Sequence, residues 1–200
     1  MKSTDETRLT LRLADAHDAG AIASIYRPFV ESTVISFEVD PPSEHEIRDR
    51  INKTLPRHPW LLCEMDGQMA GYAYATAHRA RGAYQWSVDT STYVRSDLHR
   101  HGIGRRLYTS LIRLLVAQGY CHAYAGITLP NPASVGLHEA VGFRPLVVYR
   151  QVGYKLGAWH DVGWWERQLA PHVASPEPPR ALDEISFDLS DAAPPFHPST

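Results

Sequence analysis

The chain is poor in cysteine, holding only Cys63 and Cys121 in 200 residues. Both lie inside apolar stretches without CxxC or Cys/His metal spacing, which argues against a disulfide framework or a zinc site and for buried, reduced thiols. Neither has a local signature of a catalytic cysteine. No apolar run approaches the roughly 18 to 20 residues that a membrane span needs, and Met1 to Thr10 is too polar for a signal peptide. The expected location is the cytoplasm, with no membrane partner. Basic residues are not in excess: 20 Lys and Arg stand against 22 Asp and Glu, a net charge of −2. A chain that lives on nucleic acid would carry a basic surplus, so any anion site here must be local. Repeats at solenoid spacing are also missing.

What is present is 44% hydrophobic and 21% charged residues, the balance of one soluble globular domain with a short appendage. The appendage is 171–200, with seven of the fifteen prolines and five acids against one arginine. Without a sustained apolar period it reads as a disordered acidic tail. Removing its −4 leaves residues 1–170 at +2, a mildly cationic body compatible with a phosphorylated ligand.

Within the body, strand and helix patterns alternate. Leu9 to Leu13 alternates like a strand, and Asp15 can cap a helix through Ile22, Ile25, Phe29 and Val30. Ser43 and Glu46 form a capping box for a second helix through Ile47, Ile51 and Leu55, which Pro56 ends. Trp60 to Met65 and Gln68 to Thr76 read as strands joined by an Asp66-Gly67 hairpin turn. Ala83 to Val94 reads as a further strand with Asp89 on its polar face. A helix from Ile103 to Gln118 closes on Gly119. Tyr120 to Leu129, Arg144 to Tyr154 and Asp161 to Leu169 read as strands, and Pro132 to Val141 as a short helix. About seven strands and four helices, with hairpins and crossovers both present, argue for a mixed α/β sheet.

The segment from His99 to Leu107 follows a strand and opens a helix. Unpaired backbone N–H groups at a helix start form an anion cradle, and Gly102 and Gly104 let a pyrophosphate approach closely. Arg100, Arg105 and Arg106 add positive charge there. A Walker loop is excluded because the Lys-Ser/Thr pair is missing. The dinucleotide fingerprint fails for want of a third glycine and a following acidic residue.

Downstream, Asn131, Ser134, Leu137, His138, Glu139, Gly142 and Phe143 reproduce an N-x-x-S/A-x-x-L-Y-E-x-x-G-F signature. Together with His99-x-x-Gly102-x-Gly104, it resembles the GCN5-related N-acetyltransferases, or GNAT proteins. Glu31-Ser32-Thr33, Pro59-Trp60-Leu61, Arg81-x-Ala83-Tyr84-x-Trp86, Leu129-Pro130-Asn131 and Trp159-His160-Asp161-Val162-Gly163-x-Trp165 look like the phosphinothricin N-acetyltransferase branch. The resemblance runs from about Leu9 to Leu169.

The resemblance implies a GNAT fold, a mostly antiparallel seven-stranded sheet whose central strands splay to admit acetyl-CoA, with no metal. By position, Thr92, Tyr93 and Val94 would meet the pantetheine and thioester. Arg100, His101, Gly102, Ile103, Gly104 and Arg105 would hold the pyrophosphate, and Asn131 the arm from the other side. Asn131 also suits a plain helix N-cap before Pro132. Asp89 is the candidate base; the family carries glutamate there, one methylene longer, so a bridging water would restore its reach. It could equally be a solvated carboxylate on a strand face. His138 stands where most GNAT proteins have a tyrosine acid, and could supply a proton or simply pack beside Phe143.

Arg79 and Arg81 suit the carboxylate or phosphinate of a glutamate-like or sulfoximine-type amino acid, with Phe37, Trp159, Trp164 and Trp165 as candidate pocket walls. The resemblance also implies a homodimer. Two other readings stay open: another acceptor amine, such as a protein N-terminus, polyamine or aminoglycoside, and a non-catalytic acyl-CoA-binding module.

Overall fold

The structure, a computed structural model, describes residues 8–189. One seven-stranded sheet runs through the described residues in the order β1-β2-β3-β4-β5-β7-β6. Its strands are β1 (Leu9–Leu13), β2 (Trp60–Met65), β3 (Gln68–Ala77), β4 (Ser87–Val94), β5 (His122–Leu129), β6 (Arg144–Lys155) and β7 (Ala158–Gln168). The helices are α1 (Ala19–Ser32), α2 (Glu44–Thr54), α3 (Ile103–Gln118) and α4 (Pro132–Ala140). Neighbouring strands are antiparallel except for β4 and β5, which run parallel.

The period-two pattern of β2 sends its side chains to two different cores. Leu61 and Cys63 join Leu107, Leu111 and Leu115 of α3, whereas Trp60 and Leu62 join Ile22 and Val30 of α1 and Ile47 and Ile51 of α2. Each such fully buried aliphatic side chain contributes about 1.5 to 3 kcal/mol of burial free energy. Ser43 caps α2 as a reciprocal box: its Oγ accepts from the Glu46 N–H and Glu46 accepts from the Ser43 N–H. The sheet is thereby covered on both faces, and its middle is fixed in place.

The middle is also where pairing fails. β4 and β5 pair only through Ser87–His122, Val88–Ala123 and Asp89–Tyr124, although both strands continue for five more residues. Across the opening, the Thr90 hydroxyl donates to Tyr124 O at 3.2 Å. Beyond it the facing edges diverge. On their other sides both strands stay paired, β4 with β3 up to Val94 and β5 with β7 up to Leu129.

Three sequence expectations need adjustment. Ala83 to Trp86 is not strand: Gly82–Tyr84 is a 3-10 turn, and residues 81–85 are exposed. Alternation at Tyr84 and Trp86 imitates a half-buried strand, but the ladder to β3 begins only at Val88. Cys121 is half-buried rather than buried, while Cys63 is fully buried, and both are free thiols. The described part of the segment read as a disordered tail lies against the body. Arg180 and Gln118 exchange hydrogen bonds, Arg180 N to Gln118 O at 2.8 Å and Gln118 Nε2 to Arg180 O at 2.9 Å. Leu182 N donates to Pro56 O, Trp86 Nε1 donates to Glu177 O, and Pro179 is buried. Residues 190–200 of that reading, and 1–7 at the other end, lie outside the described residues.

These contacts predict that a chain ending at Ala170 is less stable. Loss of three or four net hydrogen bonds at about 0.5 to 1.5 kcal/mol each should lower Tm by roughly 5 to 15 °C, at about 2 to 4 °C per kcal/mol for a chain of this size. Thermal denaturation of both chains checks it. Equal Tm values would return the segment to the dispensable tail that its composition suggests.

Candidate active site

The opening between β4 and β5 passes through the sheet. Alternate residues of β4 belong to opposite faces: Val88 packs in the α3 core, whereas Tyr93 packs against Tyr26 and Phe29 of α1. A narrow cavity of about 50 Å³ occupies the opening, lined among others by Thr90, Thr92, Tyr93, Ile127, Asn131 and His138. Four of the sequence-predicted residues, Thr92, Tyr93, Asn131 and His138, therefore meet at one place. Val94 lies at the outer end of β4, where its carbonyl is 3.1 Å from His99 Nε2.

At that outer end stands the start of α3. Gly102 is its N-cap at φ +74°, a left-handed conformation that costs glycine nothing. No side chain caps this terminus and no acid lies in the first turn. The first intrahelical bond is donated by Arg106 N to Gly102 O, so the N–H groups of Ile103, Gly104 and Arg105 keep no helical acceptor. The helix dipole adds to their attraction for an anion. Arg100, His101 and Arg105 are exposed around this terminus. Gly104 has a packing reason as well, since a Cβ there would meet Leu137 Cδ2 at 3.0 Å. Arg106 turns inward instead, with its Nε buried.

Asp89 sits at the inner end of the opening, in the last β4–β5 pair. Its Oδ1 lies 2.6 Å from Nδ1 of His78, a residue that the sequence reading passed over. His78 stacks on Tyr124, the other member of that last pair, with ring centroids 4.5 Å apart. Burial pushes the Asp89 carboxyl up from the ordinary aspartate range, while the His78 hydrogen bond and the charges of His78 and Arg79 pull it down. Only the spacing of His78 from β4 across the β3–β4 hairpin could have revealed this pair, and no short motif carries it.

His138 is 5% exposed. Its Nδ1 is 2.7 Å from Ser134 O and its Nε2 is 2.7 Å from the Tyr108 hydroxyl. A carbonyl only accepts, so Nδ1 carries the hydrogen, and in the neutral ring Nε2 accepts from Tyr108. Burial lowers the His138 pKa, opposed by the Ser134 bond, and burial raises that of Tyr108. The ring also packs edge-on against Phe143 at 5.3 Å, so packing beside Phe143 and facing the cavity hold together. The same is true of Asn131, whose Oδ1 accepts from Ser134 N as the α4 N-cap while the residue lines the cavity.

The candidate acceptor residues are less gathered. Arg79 and Arg81 are exposed on the loop after β3, Arg79 donating to its neighbour's carbonyl, His78 O, at 2.7 Å. Phe37 lies over Gly153 of β6 and near His160. It is Ile35, two residues earlier, that lines the cavity. Trp164 stands edge-on to His78 at 6.2 Å, Trp165 is core, and Trp159 is 61% exposed on the β6–β7 hairpin. Among the described residues no cluster of His, Cys, Asp and Glu could hold a metal ion.

A family model for the acetyltransferase (GNAT) domain matches residues 11–164. The chain is similar to the phosphinothricin N-acetyltransferase of Streptomyces viridochromogenes, 38% identical over 184 residues that cover 92% of this chain and 98% of the relative. It is also 32% identical, over 83% of its length and 98% of the relative's, to the L-methionine sulfoximine/L-methionine sulfone acetyltransferase of Salmonella typhimurium. Among solved structures, a GNAT superfamily phosphinothricin acetyltransferase from Sinorhizobium meliloti in complex with AcCoA superposes with a TM-score of 0.80 at 34% identity, covering 85% of this chain and 92% of that one. The family match over residues 11–164 and the relatives at 32% and 38% identity together show that the chain belongs to the GNAT acetyltransferases.

Proposed function

We propose that the protein transfers the acetyl group of acetyl-CoA to the amino group of a small glutamate-like or sulfoximine-type amino acid, by direct attack when both are bound. The observation that carries this reading is the coincidence of the β4–β5 opening, the bare α3 terminus at its outer end and a carboxylate at its inner end. Relatives named for phosphinothricin and methionine sulfoximine support the class of acceptor.

Each part of the cofactor has a fitting surface on this chain. The unpaired edge of β4 from Thr90 to Val94 can take an amide-bearing arm as an added strand, satisfying backbone groups that otherwise lack partners. Ile103, Gly104 and Arg105 N–H groups, with Arg100 and His101 beside them, suit a pyrophosphate. Bound there, acetyl-CoA supplies an activated acyl group. The protein supplies a basic group for the ammonium at the Asp89 end of the opening, and on the opposite wall Tyr108 and His138 share a hydroxyl proton available to the leaving sulfur.

Arg79 and Arg81 stand on the loop that leads from β3 past the Asp89 site, and they favour an acceptor that brings its own carboxylate. A polyamine or aminoglycoside would prefer an acidic loop. Two free thiols, one fully buried, suit the reducing cytoplasm as the place of action; among the described residues no helix is long and apolar enough to cross a membrane.

We further propose a homodimer formed through β6. This edge strand exposes Leu146, Val147, Val148, Tyr149, Val152 and Tyr154, each 40% or more accessible, an apolar surface that a monomer rarely leaves bare. Sedimentation equilibrium should give a dimer that Val148→Glu with Tyr154→Glu converts to monomer. A monomeric wild-type chain at micromolar concentration would contradict it.

Thiol release from acetyl-CoA, measured against a panel of amino acids, tests the activity. Turnover should be fastest with sulfoximine- or phosphinate-bearing amino acids and weak with the matching decarboxylated amines. Arg81→Ala removes a charge-assisted contact worth roughly 1.5 to 3 kcal/mol, so kcat/KM for the amino acid should fall about 10- to 100-fold with the acetyl-CoA KM held. Equal turnover of the decarboxylated amine would overturn the acceptor class. Acetyl-CoA binding with no turnover on any amine would make the protein a binding module.

A further inference from the structure

We infer that His78 is the proton-accepting residue of this site, with Asp89 as the carboxylate that orients it; this rests on the acetyl-transfer reading above and names the atom that performs its first step. The juxtaposition lies at the vertex of the splayed strands. Asp89 and Tyr124 form the last β4–β5 pair, and both hold the same imidazole, Asp89 by a 2.6 Å contact to Nδ1 and Tyr124 by a stacked ring at 4.5 Å.

The ring is restrained on further sides. Tyr84 and Trp164 approach it edge-on at 6.0 and 6.2 Å. His78 N continues the β3–β4 ladder by donating to Ser87 O at 3.2 Å, and Arg79 fixes the His78 carbonyl from the solvent side. An ionised Asp89 accepts the Nδ1 hydrogen, and that choice of tautomer leaves the lone pair on Nε2. A carboxylate that holds an imidazole in one tautomer and steadies the imidazolium is the general logic of an Asp–His pair. Desolvation of Asp89 strengthens this, because a buried carboxylate gains more from a charged partner than an exposed one.

Reach points the same way. Asp89 already spends Oδ1 on His78, and its side chain is one methylene shorter than glutamate. The imidazole carries a basic atom, Nε2, a ring's width beyond the carboxylate. In the step so assigned, the acceptor's ammonium gives one proton to His78 Nε2, and the amine lone pair forms the C–N bond at the thioester carbonyl. The C–S bond breaks with its electron pair on sulfur, the nitrogen gives up its second proton as the amide forms, and the sulfur takes up one proton to leave as the free thiol. His78 then returns its proton to solvent.

Three variants read this assignment: His78→Phe keeps a flat ring on Tyr124, His78→Ala opens room for a free imidazole, and Asp89→Asn keeps shape without charge. With the best amino-acid acceptor, His78→Phe should lower kcat by roughly 10²-fold or more with the acetyl-CoA KM changed less than about threefold. Added imidazole should restore His78→Ala at least about tenfold, and the His78→Phe/Asp89→Asn double variant should be little worse than either single one, as for residues acting as a unit. Near-full kcat in His78→Phe alongside a disabled Asp89→Asn would overturn the assignment and leave Asp89 as the base. Loss in the His78 variants with no imidazole rescue would reduce His78 to a packing residue, and would likewise overturn it. Should His78→Phe fail to fold by circular dichroism, His78→Gln takes its place in the same comparison. Absence of turnover in the wild-type enzyme would instead strike at the acetyl-transfer reading itself.

Discussion

Everything in this molecule that bears on chemistry depends on two parallel strands that stop pairing. β4 and β5 share three residue pairs and then separate, while β3 and β7 hold their outer edges in register. A sheet opened in its centre ordinarily carries a penalty, since unpaired N–H and C=O groups in a half-buried position lack partners. Here the antiparallel ladders on either side and the two helical layers keep the gap from closing or collapsing. The opening is a fixed feature of the backbone, and a ligand with amide groups is what its edges can pair with.

Because the opening is wedge-shaped, its two ends differ in chemistry. The wide end meets the start of α3, where three N–H groups and the helix dipole favour negative charge. The narrow end meets Asp89, His78 and Tyr124, a desolvated acid–imidazole–aromatic group in which burial and pairing act in opposite directions on the carboxyl. The anion-favouring helix terminus and the acid–imidazole pair are thereby separated by the length of the cleft. The wall near Asn131 is contributed by α4, which uses one residue, His138, both to pack on Phe143 and to hold the Tyr108 hydroxyl.

Much of this was legible in the sequence wherever the signal is local. The hairpin at Asp66-Gly67, the capping box at Ser43 and the limits of α3 from Ile103 to Gly119 stand in the structure where turn chemistry, capping and helical period put them. The glycine loop and the Asn131 to Phe143 signature named residues that stand at the start of α3 and along α4, beside the opening. What could not be read was set by distant contacts. Tyr84 and Trp86 mimic strand alternation, yet Gly82–Tyr84 is a 3-10 turn and the ladder to β3 begins only at Val88. His78 is separated from Asp89 by eleven residues and a change of strand, and Tyr108 meets His138 across thirty residues and a change of helix. Composition also failed to anticipate that an acidic, proline-bearing segment could settle on the body through Gln118, Pro56 and Trp86.

Residue-resolved amide hydrogen exchange, with and without acetyl-CoA, tests most directly whether the unpaired edge is the cofactor site. Bound acetyl-CoA should slow exchange at the β5-facing amides between Thr90 and Val94 and at Ile103, Gly104 and Arg105, and leave the β1–β2 ladder as it was. Unchanged exchange at both groups under saturating acetyl-CoA would contradict a cofactor seated in the opening of the sheet.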